Sequence, residues 1–148
     1  MKKIIIAIDG HSSTGKGTLA RQLAKTLNYI YVDSGAMYRA ITLYAIENRF
    51  LTPYKFDEVA LINSLEKLDL EFKTDANKNS ALMLNGQSVS SKIRGLEVSN
   101  RVSMVAAVAD IRKSLVKKQR QMGRNKGIVM DGRDIGTCLL YTSDAADD

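Results

Sequence analysis

The sequence predicts a three-layer α/β fold built on a parallel sheet. Three observations carry this. An apolar strand near the N-terminus runs straight into a glycine-bounded loop, strand-like and helix-like segments then alternate, and a late apolar strand ends in an acidic turn. In open sheets of this class ligands bind beyond the carboxyl ends of the strands, so the loops that follow them are the first places to look for chemistry.

The first element lies in Lys2–Thr18, KKIIIAIDGHSSTGKGT. Gly10, Gly15 and Lys16 satisfy G-x-x-x-x-G-K, with Gly17 where Ser or Thr is usual and the hydroxyl one place later, at Thr18. Glycine permits backbone angles that let successive N–H groups curl around a phosphate, and the lysine and the following helix N-terminus add positive charge. A chance glycine turn is the alternative. It is opposed by Ile4, Ile5, Ile6 and Ile8, which read as a buried-type strand, and by Leu19, Leu23 and Leu27 with Ala20 and Ala24, which have helical spacing.

Further along, Tyr29–Val32 reads as a second short strand, followed by Asp33-Ser34-Gly35 and a helix over Ala36–Glu47 with Met37, Ile41, Leu43 and Tyr44 available to a core. Pro53 is the sole proline and marks a linker-like stretch. A helix over Asp57–Lys67 is expected, with Asp57 as its cap. LDLEFK then alternates strictly, TDANKNS reads as a turn and ALMLNGQSVS as a second strand with Asn85-Gly86 as a tight turn. This predicts a small antiparallel insertion. Helices are expected over Arg94–Val108 and Asp110–Gly123, with Asp110 as the cap of the second, before the strand Gly127–Met130 and Asp131-Gly132-Arg133-Asp134.

Composition bounds the reading. The 148 residues have room for one domain with a sizeable core, and 45% hydrophobic with 26% charged content is that of an ordinary globular protein. No apolar run approaches the roughly 20 residues that span a bilayer. The opening MKK leads directly into strand and loop, with no signal-peptide pattern, and Cys138 is the single cysteine, so a reducing cytoplasm is the expected setting. The last eleven residues, Cys138–Asp148 (CLLYTSDAADD), resemble the conceptual translation of a transposase adapter used in preparing sequencing libraries. The native sequence is therefore expected to end near Thr137, with 138–148 a non-native tail. Against 16 acidic residues stand 22 basic ones, a net charge of +6; without the three aspartates of that tail, residues 1–137 carry +9. Much of the surplus lies between Lys92 and Lys126, where helical spacing makes a solvated face the simplest account. No aromatic residue interleaves the run, against a platform for single-stranded nucleic acid.

Phosphoryl transfer asks a protein for in-line alignment, exclusion of water and cations around the moving group. Arg39, one turn into the helix after DSG, and Arg133, just past a strand end, can each grip phosphate through a planar fork, although either alone would pass for a surface residue. Asp131 ends an apolar strand, where a magnesium-associated acid would sit; an ordinary turn aspartate is the alternative.

DSGAMYR (33–39), the S-x-K-I-R segment ending at Arg94, SMVAAVADIR (103–112) and DGRDIGT (131–137) follow GHSSTGKGT in this order. Together they resemble the bacterial cytidylate kinases, P-loop kinases of nucleoside monophosphates, over residues 2–137 and including the antiparallel insertion. Adenylate kinases share the GKGT loop but typically show TGDMLR and DGFPR at the other two places. The resemblance implies a P-loop NTPase fold, incomplete here, with a nucleotide-binding insertion at about 57–108. It also implies transfer of the γ-phosphoryl of ATP to CMP or dCMP with Mg²⁺.

Carried over residue by residue, Gly10, His11, Ser12, Ser13, Thr14, Gly15, Lys16, Gly17 and Thr18 would cradle ATP, with Lys16, Arg39, Asp131 and Arg133 catalytic. Ser34, Arg39, Arg94, Asp131 and Arg133 would surround the acceptor nucleotide, and Ser103, Arg112 and Asp134 would read the cytosine base. Thr18 and Asp131 would be the metal-associated pair. A hydroxyl and a guanidinium can donate to O2 and N3 of cytosine while a carboxylate accepts from its amine, an arrangement that disfavours uracil. Taken without the family pattern, Ser103 reads as a helix hydroxyl and Arg112 as part of the basic face.

The family's further strand and arginine-bearing lid have no counterpart after Thr137. An exposed Ile4–Ile8 strand edge and little kinase activity are therefore expected of this chain, although the full-length protein would be a cytoplasmic monomer that acts on small nucleotides and not on nucleic acid or membrane. The competing readings are a P-loop kinase for another small molecule and a basic nucleic-acid-binding module.

Overall fold

The computed structural model describes residues 2–9 and 15–132. Gly10 to Thr14, Arg133, Asp134 and the 138–148 tail lie outside the described residues. The elements in chain order are β1 (Ile5–Asp9), α1 (Lys16–Leu27), β2 (Ile30–Asp33), α2 (Ser34–Glu47), α3 (Glu58–Ser64), β3 (Leu70–Thr74), β4 (Ser80–Leu84), β5 (Gln87–Ser88), α4 (Leu96–Ser99), α5 (Val102–Ala106), α6 (Ala109–Gly123) and β6 (Ile128–Gly132). The chain divides into two units, one of residues 1–34, 72–81 and 116–148, the other of residues 35–71 and 82–115.

The first unit holds a parallel sheet in the order β1-β6-β2, so the last strand in sequence lies between the first two. Ile6 and Tyr31 both pair with Val129, and Ile8 and Asp33 both pair with Asp131. Side chains alternate faces along a strand, so this register puts Ile6, Ile8, Tyr31, Asp33, Val129 and Asp131 on one face. Helix α1 covers it: Ala20, Ala24, Tyr31 and Val129 form a buried cluster with Ile6, Ile8, Leu23 and Tyr29 against it. On the opposite face the end of α6 comes so close that a Cβ on Gly123 would lie 3.1 Å from Ile5 Cδ1 and 3.7 Å from Ile128 Cδ1. The result is helix, sheet and helix, as the sequence predicts. Strand β6 is buried at every position, whereas β1 has a neighbour on one side only among the described residues. Ile4 and Ile5 are accordingly 53% and 41% exposed, which corrects the expectation of a buried isoleucine strand. Leu19 and Leu27 are exposed too, because the small Ala20 and Ala24 let α1 approach the sheet on a different stripe.

In the second unit α2 is apolar on nearly every side. Met37, Ala40 and Ile41 are fully buried, and Thr42 can be so because its hydroxyl donates to the Tyr38 carbonyl at 2.8 Å. Tyr44 sits edge-on to Phe50, with centroids 6.1 Å apart. Asp57 caps α3 by accepting from the Ala60 N–H at 3.1 Å, as expected, although the last turn, Leu65–Lys67, tightens to a 3₁₀ helix. The insertion is a three-stranded sheet in the order β3-β4-β5, with β4 and β5 antiparallel, of which residues 72–81 belong to the first unit. Its tight turn places Asn85 and Gly86 at φ 49° and 83°, and the Asn85 side chain accepts from the Asp69 N–H at 2.9 Å.

Two local expectations fail. The single helix over Arg94–Val108 is instead a 3₁₀ turn at Lys92–Arg94 followed by α4 and α5, because Gly95 is extended at ψ 156° and Arg101 leaves helical geometry at φ −120°. Asp110 lies inside the first turn of α6 rather than capping it, where its charge still complements the helix dipole. No helix among the described residues is long and apolar enough to cross a membrane.

Candidate active site

The carboxyl ends of the three parallel strands come together, with Asp33 and Ile8 in register with Asp131 and Asp9 beside Gly132. Helix α1 begins at the same end. Gly15, its N-cap, is left-handed at φ 76°, a conformation that costs glycine little, and no side chain caps the helix there. The backbone thus delivers Lys16 to the ends of the strands at the start of a helix dipole.

There Lys16 Nζ donates to Asp131 Oδ1 at 2.8 Å, an ion pair whose side chains are 11% and 7% exposed. The other carboxylate oxygen, Oδ2, accepts from the Tyr31 hydroxyl at 2.5 Å. Tyr31 reaches it because both residues lie on the α1 face of the sheet, two positions apart in register. The phenol is pushed far above its ordinary range, first by burial, then by the nearby Asp33 charge and by its hydrogen bond to Asp131. The Arg21 guanidinium lies 5.9 Å from the centroid of the Tyr31 ring. Tyr31 also lines, with Arg21, Lys25, Lys78 and Ser80, a small open cleft.

Gly17 borders the same cluster. A Cβ there would meet Asp131 Oδ2 at 3.5 Å and the Tyr31 hydroxyl at 3.9 Å, so a side chain at 17 would enter the carboxylate's surroundings. Thr18 is exposed on the first turn of α1. Among the described residues no three His, Cys, Asp or Glu gather to hold a metal ion. A magnesium ion bound chiefly through phosphate oxygens and water would need only one or two carboxylates, and Asp131 is a buried carboxylate at this end of the sheet.

The remaining expected residues fall as follows. Ser34 opens α2 and is 8% exposed. Arg39 is anchored within the second unit, where Nη1 donates to the Ile93 carbonyl at 3.1 Å and to Ser99 Oγ at 2.9 Å. Arg94 and Ser103 are exposed in that unit. Arg112 Nη1 donates to the carbonyls of Ala106 and Ala107 at 3.1 and 2.9 Å, which satisfies the end of α5, the helix that carries Ser103. The structure therefore joins Lys16 to Asp131, ties Arg39 to the Ile93–Ser99 segment, and ties Arg112 to the helix of Ser103. The sequence reading missed Tyr31 and Ser99. Tyr31 gave one signal, its place two residues before Asp33 on a short strand, but its partner is 100 residues away.

The sequence profile of the family described as Cytidylate kinase matches residues 6–145. Among curated proteins, the chain is 58% identical over 141 residues to a cytidylate kinase of Flavobacterium johnsoniae, covering 95% of this chain and 61% of that protein. It is 55% identical over 145 residues to one of Flavobacterium psychrophilum, covering 97% and 64%. For one of Parabacteroides distasonis the identity is 52% over 141 residues, covering 95% and 62%. The chain thus spans about three fifths of the length of the curated relatives it matches.

Proposed function

The chain belongs to the cytidylate kinase family, and from that membership we propose that it is the part of a kinase that binds ATP and CMP or dCMP and aligns them for transfer of the γ-phosphoryl group. The observation that carries the reading is the Lys16–Asp131 pair at the carboxyl ends of the parallel strands, beside the N-terminus of α1. An acceptor phosphate oxygen attacks the γ-phosphorus, and the bond to the β–γ bridging oxygen breaks with its electron pair leaving on ADP. The protein's part is positioning and charge. Lys16 exchanges Asp131 for the β- and γ-phosphates, and the family pattern assigns residues 10–18 to ATP. By the family pattern Arg39 and Arg133, with Ser34 and Arg94, are assigned to the acceptor nucleotide, and Ser103, Arg112 and Asp134 to its cytosine base. Asp131 and Thr18 would be the residues associated with magnesium, which would neutralise charge on the polyphosphate when bound. The anchoring of Arg39 and Arg112 through Nη1 supports these roles, since a guanidinium held on one side presents its remaining donors with less loss of freedom.

Equilibrium binding of MgATP, CMP and UMP to the 148-residue chain tests this. Lys16→Ala should weaken MgATP at least about tenfold and leave CMP unchanged, and UMP should bind at least about a hundredfold more weakly than CMP. Wild-type affinity for MgATP in Lys16→Ala, or equal affinity for CMP and UMP, would overturn the reading.

A further inference from the structure

We infer that Tyr31 is a positioning residue for Asp131, holding its carboxylate in place when a nucleotide draws Lys16 away. This rests on the proposed phosphate-binding role of Lys16. Asp131 is 5% exposed, and among the described residues its two oxygens accept from two donors of different character. One is a lysine on a flexible four-carbon stem at the start of α1, the group for which a polyphosphate competes most strongly. A buried carboxylate that lost its only partner would be left unsatisfied, at a cost that opposes nucleotide binding.

The other donor stays. The Tyr31 ring turns on two torsions and lies in the cluster of Ala20, Ala24 and Val129 beneath α1. Its strand is pinned nearby, since Ser80 Oγ donates to the Tyr31 carbonyl at 2.8 Å. Arg21 lies over its ring. A neutral hydroxyl suits this task better than a second cation, because it orients the carboxylate without cancelling the negative charge that a hydrated cation would meet. Gly17 completes the arrangement. A hydroxyl carried on a Cβ 3.5 Å from Oδ2 could compete with Tyr31 for that oxygen, and glycine at 17 avoids the competition.

The test is a double-mutant cycle read as melting temperature in the nucleotide-free chain, with MgATP binding as a second measurement. Tyr31→Phe removes one oxygen and keeps the ring. In the wild-type background Lys16 still holds Asp131, so the loss should be small; with Lys16→Met the same change should cost at least about twice as much. A double variant that no longer folds, while both single variants do, is the extreme of the same result. Equal or smaller loss in the Lys16→Met background would overturn the inference, since a purely structural tyrosine gives additive losses. Tyr31→Phe should also weaken MgATP about tenfold, and wild-type affinity would again overturn the inference. Should the wild-type chain itself not bind MgATP, the functional reading fails and the cycle alone decides the role of Tyr31.

Discussion

At the scale of single residues, the site depends on how one buried carboxylate is satisfied. Asp131 is tolerable inside the first unit because a cation and a phenol meet its two oxygens at 2.8 and 2.5 Å. The phenol's side of this has a pH signature. Its folded-state pKa is raised above the ordinary value of 10.0, so the protonated tyrosine binds its proton more tightly when folded. The stabilisation is fully present below that value and is lost as pH rises beyond it. Denaturation profiles of the wild type should therefore fall more steeply above about pH 10 than those of Tyr31→Phe, with no such difference at neutral pH. Parallel profiles at alkaline pH would show that Tyr31 is not held in this way.

The elements owe their ends to a few residues. Asp57 satisfies one of the exposed donors at the start of α3, and its replacement by alanine should cost about 1 kcal/mol. Gly86 holds φ 83° with nothing within 4 Å of where a Cβ would sit. Gly86→Ala should therefore cost backbone strain alone, about 1–2 kcal/mol. For a chain of this length each kcal/mol corresponds to roughly 2–4 °C in melting temperature. Thermal melts of the two single variants check both figures; a Gly86→Ala variant as stable as wild type would remove the left-handed turn from the account. The Asn85-Gly86 turn and the Asp57 cap were legible in the sequence because each depends on residues within four places of one another. The break of the expected Arg94–Val108 helix into pieces was not. Its apolar spacing is helical, and only the observed extended backbone at Gly95 and the turn at Arg101 show where the helix stops.

For the whole molecule, the consequence to test is the edge of the first sheet. Strand β1 pairs with β6 and has no second neighbour among the described residues, while Ile4 and Ile5 are exposed. Such an edge is a template for pairing with another chain. Sedimentation of the 148-residue chain should show concentration-dependent association, and Ala7→Lys, which puts a charge at an exposed position of β1, should suppress it. A strictly monomeric wild type over the same concentrations would contradict this.

What the sequence determined by itself is what its local order encodes. The phosphate-loop spacing, the alternation of strands and helices and the antiparallel insertion are written in runs of a few residues whose periodicity or turn chemistry has one simple reading. Tertiary structure alone decided the rest. That β6 lies between β1 and β2, that small alanines bring α1 onto the face carrying Asp131, and that Tyr31 shares this carboxylate with Lys16 all follow from strand order and register. Register joins residues 100 apart in the chain, and no local preference of either segment specifies which position of one will face which position of the other.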